Sequence, residues 1–190
     1  MYYLYLHKSW TPVYHMSKPN AFSLMMKAPQ PTDQKTTGGY AIIKGSCRTE
    51  EQCYLLQFDG LSEPNPGTST GGAVLFSPHT RVIVFEVGKF IDYGTNNQAE
   101  YTGLLIGLKA ALEKDVREIL IEGDSQLVIF QTEGRWKVKN DVLQVMNREA
   151  RDLITQFEFA AIRHIYRDKN AHADRITNEV LLRGEGYYKG

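Results

Sequence analysis

Along residues 54–124 the apolar positions change rhythm several times, and each rhythm implies a different element. The run Tyr54-Leu55-Leu56-Gln57-Phe58 is nearly continuous, as in a strand buried on both faces, and it stops at Asp59. Val82 to Phe90 alternates like a half-exposed strand, and Gly67 to Gly72 reads as turn material between the first two strands. Tyr101 to Leu112 is apolar at helical spacing, behind the polar opening Thr95-Asn96-Asn97-Gln98. Ile119-Leu120-Ile121-Glu122-Gly123 is again a buried strand, closed by Asp124. From residue 54 onward the predicted order is strand, strand, strand, helix, strand, helix, helix, strand, helix. Three neighbouring strands with short turns make an antiparallel meander. The later alternation of helix and strand calls for right-handed crossovers and parallel pairing. The expected class is α/β, a mixed five-stranded sheet with helices on both faces.

The 190 residues are ample for one core plus an appendage. Residues 1–50 are expected to be an amino-terminal extension, aromatic-rich (Tyr2, Tyr3, Tyr5, Trp10, Tyr14) and linker-like from Ala28 to Gly39, and residues 51–190 the main domain. The extension's aromatics suit stacking on nucleic-acid bases, worth about 1–3 kcal/mol each, or docking on the domain's own surface, the more ordinary use. No apolar run approaches the roughly 18 residues of a membrane span. Neither a secretory nor an Arg-rich organelle leader is apparent, so an intracellular location, cytoplasmic or nuclear, is expected. Cys47 and Cys53 lack the partners for a disulfide framework or a zinc site and are expected to be reduced. Net charge is zero, but residues 1–53 hold six Lys/Arg against three Asp/Glu, leaving sixteen against nineteen for residues 54–190. That mild acidity argues against broad electrostatic capture of nucleic acid.

Four acids stand in distinctive strings. Asp59 and Asp124 end buried runs, Glu100 lies in the first turns of a helix, and Asp174 lies in the helical opening Asn170-Ala171-His172-Ala173-Asp174. Any one alone reads as a solvated charge or a helix cap. Together with Phe58-Asp59-Gly60, Asn65-Pro66-Gly67, Gly71-Gly72-Ala73, Thr95 to Tyr101, Gly123-Asp124-Ser125-Gln126-Leu127-Val128, Trp136 to Asn140 and His164 to Arg167, they give a chain that resembles ribonuclease H of the type 1 family from about residue 52 to about residue 185. The resemblance implies sheet order 3-2-1-4-5 with strand 2 antiparallel, so that strands 1 and 4 bring Asp59 beside Asp124.

It also implies a metal-dependent endoribonuclease that hydrolyses the RNA strand of an RNA–DNA hybrid, giving 5′-phosphate and 3′-hydroxyl ends. Two Mg²⁺ ions, completed by substrate and replaceable by Mn²⁺, would sit about 3.5–4 Å apart. Asp59 would bridge both, Glu100 and Asp124 would ligate the ion near the leaving group, and Asp174 would hold the ion that activates water. Asn96, Asn97 and Gln126 match positions that contact sugars and bases of the hybrid, and Thr95 with Asn65 matches a pocket for a DNA-strand phosphate. Asn65 and Asn96 also suit plain turn and cap roles. Trp136, Lys137 and Lys139, beside Arg135, form a basic–aromatic cluster suited to backbone phosphate and sugar, or simply to pinning a loop. The chain departs from many relatives in lacking both a basic protrusion near residues 131–140 and a loop histidine before Asp174. His164 reads as a sheet residue and His172 as non-catalytic. A monomer is expected. Two other readings are a same-fold nuclease acting on double-stranded RNA or DNA junctions, and a binding module without turnover.

Overall fold

A computed structural model describes residues 36–37, 39–46 and 49–190. The aromatic stretch and most of the linker-like segment foreseen in residues 1–39 lie outside the described residues. The strands are β1 (Thr36–Thr37), β2 (Tyr40–Lys44), β3 (Tyr54–Glu63), β4 (Gly67–Phe76), β5 (Ile83–Gly94), β6 (Glu118–Gly123), β7 (Phe159–His164) and β8 (Tyr187–Lys189). The helices are α1 (Asn96–Glu113), α2 (Gln126–Glu133), α3 (Asp141–Ile154) and α4 (Ala171–Arg183).

One sheet runs in the order β1-β2-β7-β6-β3-β4-β5-β8. Its five middle strands reproduce the 3-2-1-4-5 order: β3, β4 and β5 form the antiparallel meander, and β6 and β7 add in parallel. The sheet is eight-stranded rather than five-stranded because three short strands are added at its edges, β2 on β7, β1 on β2 and β8 on β5. Such additions satisfy edge N–H and C=O groups. Tyr40–Lys44, foreseen as part of the extension, is therefore a sheet strand. Gly67 to Gly72 is likewise part of β4 rather than a turn, and the chain reverses through Pro64–Pro66.

Those glycines are in a strand because another backbone approaches them. A Cβ on Gly71 would lie 2.6 Å from Gly103 N, one on Gly60 2.0 Å from Glu100 N, and one on Gly103 2.3 Å from Asp59 O. Helix α1 thus rests backbone to backbone on β3 and β4. Alternation along β4 sorts the two faces: Ala73 and Leu75 join Leu56, Phe58, Tyr101, Leu104 and Leu108 in the core under α1, whereas Val74 and Phe76 pack on Ile176 and Val180 of α4.

The parallel register pairs Leu56 with Ile121, Gln57 with Glu122 and Phe58 with Gly123. Glu122 is buried, and its carboxylate accepts hydrogen bonds from Tyr40 Oη, Gln57 Nε2 and Arg163. Burial alone would push its carboxyl up, but those donors and the Arg163 charge hold it below its usual range. Gln57 also donates to the Lys169 carbonyl, at 3.3 Å, in the turn that precedes α4.

Candidate active site

One step further along the same sheet face the polar pattern reverses. Parallel pairing ends at Phe58 and Gly123, so β6 stops and Asp124 follows its last residue, while β3 continues to Glu63 with Asp59 in mid-strand. Asp59 is therefore a strand-interior residue, not a strand-end one, because Gly60 to Glu63 go on pairing with β4. Glu100 is set in the second turn of α1. That helix is fixed at its start by a capping box, in which Thr95 Oγ1 accepts from Gln98 N and Gln98 Oε1 from Thr95 N. Asp174 lies in the first turn of α4.

Ligand oxygens of Asp59, Glu100 and Asp124 lie within 4.8 Å of one another. With Asp174 they line a pocket of about 80 Å³, alongside Gly60, Leu61, Asn96, Arg167 and Thr177. Asp59 and Glu100 are 7% and 6% exposed, so water does little to relieve their charges. Burial first, and the Asp124 charge second, push the Asp59 carboxyl up to about 6. Burial, then Asp59 and Asp124, drive Glu100 well above its ordinary range, with Arg167 only partly opposing. Glu100 Oε2 is buried with no hydrogen-bond partner among the described residues. An all-oxygen donor set, crowded, desolvated and short of donors, fits a hard divalent cation.

Three residues of the site were given no role from sequence, although Arg167 and Asn170 stand in the strings that carry the resemblance. Arg167 donates to Asp174 Oδ1 at 2.7 Å across a largely exposed pair. Asn170, fully buried, donates from Nδ2 to the Phe58 carbonyl at 2.8 Å and to Asp124 Oδ1 at 3.1 Å. Thr177 donates to Asp59 Oδ2 at 2.9 Å. For Thr177 the available signal was spacing, since it stands three residues after Asp174 and so shares its helix face.

The foreseen substrate residues fall into separate groups. Asn65, Thr95 and Asn97 line a cleft of about 330 Å³ with Gln98, Asn140 and Leu143. Asn65 Oδ1 accepts from Asn96 N at 3.0 Å and Asn96 Oδ1 from Ser62 N at 3.2 Å, so both also hold the turn and helix start together. Asn96 is the one of this set that lines the acidic pocket. Gln126 is exposed at the start of α2. Trp136 is half-exposed and packs edge to face on Phe130, and Lys137 and Lys139 beyond it are exposed. His164 contacts the Asp124 carbonyl at 3.0 Å, and His172 stacks edge on with Phe76. Neither lines the acidic pocket.

Comparison with known proteins places residues 57–180 under a family model described as reverse transcriptase-like. The chain is 40% identical over 124 residues to ribonuclease HI of Halobacterium salinarum, covering 65% of this chain and 62% of that relative. It thus spans about three fifths of the relative's length. The crystal structure of ribonuclease H1 from that archaeon superposes with a TM-score of 0.66 at 40% identity, covering 68% of this chain and 98% of the other. LC11 ribonuclease H1, solved in complex with an RNA/DNA hybrid, matches with a TM-score of 0.61 at 28% identity, over 66% of this chain and 94% of the other.

Proposed function

The chain belongs to the type 1 ribonuclease H family, and from that premise we propose that it is a metal-dependent endoribonuclease that cuts the RNA strand of an RNA–DNA hybrid. The observation that carries this reading is the convergence of Asp59, Glu100 and Asp124 in one buried, donor-poor pocket.

In this reading Asp59, Glu100, Asp124 and Asp174 hold two divalent ions, Mg²⁺ with Mn²⁺ as a substitute, and the ions supply a nucleophilic water and charge relief at phosphorus and the leaving oxygen. The chain's own part is positioning. Strands β3 and β6 fix Asp59 and Asp124, α1 fixes Glu100, and Asn170 fixes the Asp124 carboxylate. Asn96, Asn97 and Gln126 read the sugar edge, where the 2′-hydroxyl distinguishes RNA from DNA. The cleft at Asn65 and Thr95 receives a phosphate of the DNA strand, and Trp136, Lys137 and Lys139 flank the duplex as backbone contacts. A monomer suffices for this arrangement. No helix among the described residues is long and apolar enough to cross a membrane.

The test is cleavage of one end-labelled RNA strand, annealed to DNA, annealed to RNA, or left single, with Mg²⁺ or EDTA, by wild type and Asp59→Asn. Cutting confined to the hybrid and lost with EDTA and with the substitution supports the reading. No cutting of any substrate by folded protein, with Mn²⁺ also tried, overturns it and leaves a binding module.

A further inference from the structure

Thr177 is fully buried on α4, one helical turn beyond Asp174. Its hydroxyl lies 2.9 Å from Asp59 Oδ2 and 2.8 Å from the Asp174 carbonyl. A hydroxyl carries one proton, so these two acceptors compete for it. The backbone at this point is itself tied down, because Thr70 Oγ1 of β4 donates to the Thr177 carbonyl at 3.0 Å. In a helix the threonine χ1 is confined to two wells, and in the one seen here the oxygen reaches both acceptors without moving.

We propose that Thr177 is a positioning residue for the metal centre, a two-way donor that fixes the Asp59 carboxylate when no cation is bound and turns its proton to the Asp174 carbonyl when one is. The inference rests on the metal-dependent reading above. Its basis is that Asp59 shares the pocket with three other acids, Glu100, Asp124 and Asp174, and with no cationic side chain except Arg167, which is paired with Asp174. Without the hydroxyl, the only outside restraint on Oδ2 among the described side chains is lost. With it, a cation replaces one hydrogen bond and leaves no buried polar group orphaned, since the second acceptor is already in reach. Partners of this kind, one shell out from a metal, alter affinity by about 10–100-fold when removed.

The test is Mn²⁺ binding without substrate, read from the loss of the free-ion electron paramagnetic resonance signal, for wild type, Thr177→Val, Thr177→Ala, Thr177→Ser and Asp59→Asn, with folding checked by circular dichroism. The expected result is about tenfold weaker binding for Thr177→Val and Thr177→Ala, near wild-type binding for Thr177→Ser, and loss of the tight site in Asp59→Asn. Hybrid cleavage at low Mg²⁺ should fall in the Val and Ala variants with KM for hybrid unchanged, and excess Mg²⁺ should restore kcat. If Thr177→Val does not fold, Thr177→Ala carries the same comparison without added bulk. Wild-type affinity, or tighter, in folded variants that lack the hydroxyl overturns the role of Thr177 and leaves the metal-dependent reading standing. Failure of the wild type to bind Mn²⁺ overturns the role of Thr177, and hybrid cleavage that survives EDTA overturns both.

Discussion

Two buried acidic positions stand one step apart on the same face of this sheet, and they are treated in opposite ways. Glu122 receives donors from Tyr40, Gln57 and Arg163 and ionises more readily than usual. Asp59 and Glu100, buried to a similar depth, share two neutral or distant helpers and each other's repulsion, and they resist ionisation. Burial is therefore not what marks an acid as a functional group, since both sites have it. What separates them is whether the protein supplies the opposite charge itself or leaves that to something from outside.

The sharpest way to break the comparison is to neutralise one acid from each site. Asp59→Asn should lower hybrid cleavage by at least a thousandfold, about 4 kcal/mol of barrier, while the metal-free protein melts no lower than wild type, because a charge without a cationic partner has been removed. A clear loss of melting temperature would mean that Asp59 is structural. Glu122→Leu should do the reverse. Thermal or urea unfolding should show a loss of about 3 kcal/mol, because Arg163, Tyr40 and Gln57 lose their shared acceptor. That value lies at the low end for a broken buried pair, since the Arg163 side chain is one third exposed and can rehydrate.

The two sites should also respond to pH with opposite signs. Asp59 titrates at about 6 when folded and 3.8 in the unfolded reference, so between those values the folded state holds a proton that the unfolded state has lost. The metal-free protein should therefore lose stability as pH rises through this window, by about 3 kcal/mol from Asp59. Glu122 is held below its ordinary range, so its contribution is present above the unfolded pKa and disappears on acidification. Unfolding in EDTA across pH 4–7, read as wild type minus Asp59→Asn, reports the first effect together with the relief of Glu100, which Asp59 helps to raise and which carries the same sign. A flat difference would contradict it. The smallest effect belongs to Arg167→Ala. The Arg167–Asp174 pair is solvent-exposed and worth less than about 1 kcal/mol, so Mn²⁺ affinity should rise by no more than about fivefold. A tenfold change would show that Arg167 does more than shield Asp174.

What could be read from sequence follows the length over which a signal is written. The meander, the crossovers and the four acids rest on runs of five residues or more, and periodicity resolves those. Strands β1 and β8, at the two edges, are two and three residues long, too short for alternation to be told from loop, and β2 beside β1 follows a linker-like stretch that masked it. Gly67 to Gly72 misled because glycine marks turns and close backbone approach with the same letter. Arg167, Asn170 and Thr177 act through their orientation on and before α4. Which face of that helix meets Asp59 is a tertiary fact, invisible until Val74 and Phe76 are seen to pack on Ile176 and Val180.

The backbone contact between α1 and β3 sets a limit on how this chain can drift or be engineered. A methyl group at Gly60 would overlap the Glu100 amide, and one at Gly103 would overlap the Asp59 carbonyl. Relief requires the helix to lift from the sheet by an ångström or so, a displacement that costs about a hundredfold in rate where reacting groups must align. The exchange of glycine for alanine is thus costly at these two positions although it removes no functional group. A library that fixes only the charged residues would still lose every member that places a side chain at Gly60 or Gly103 without room for it.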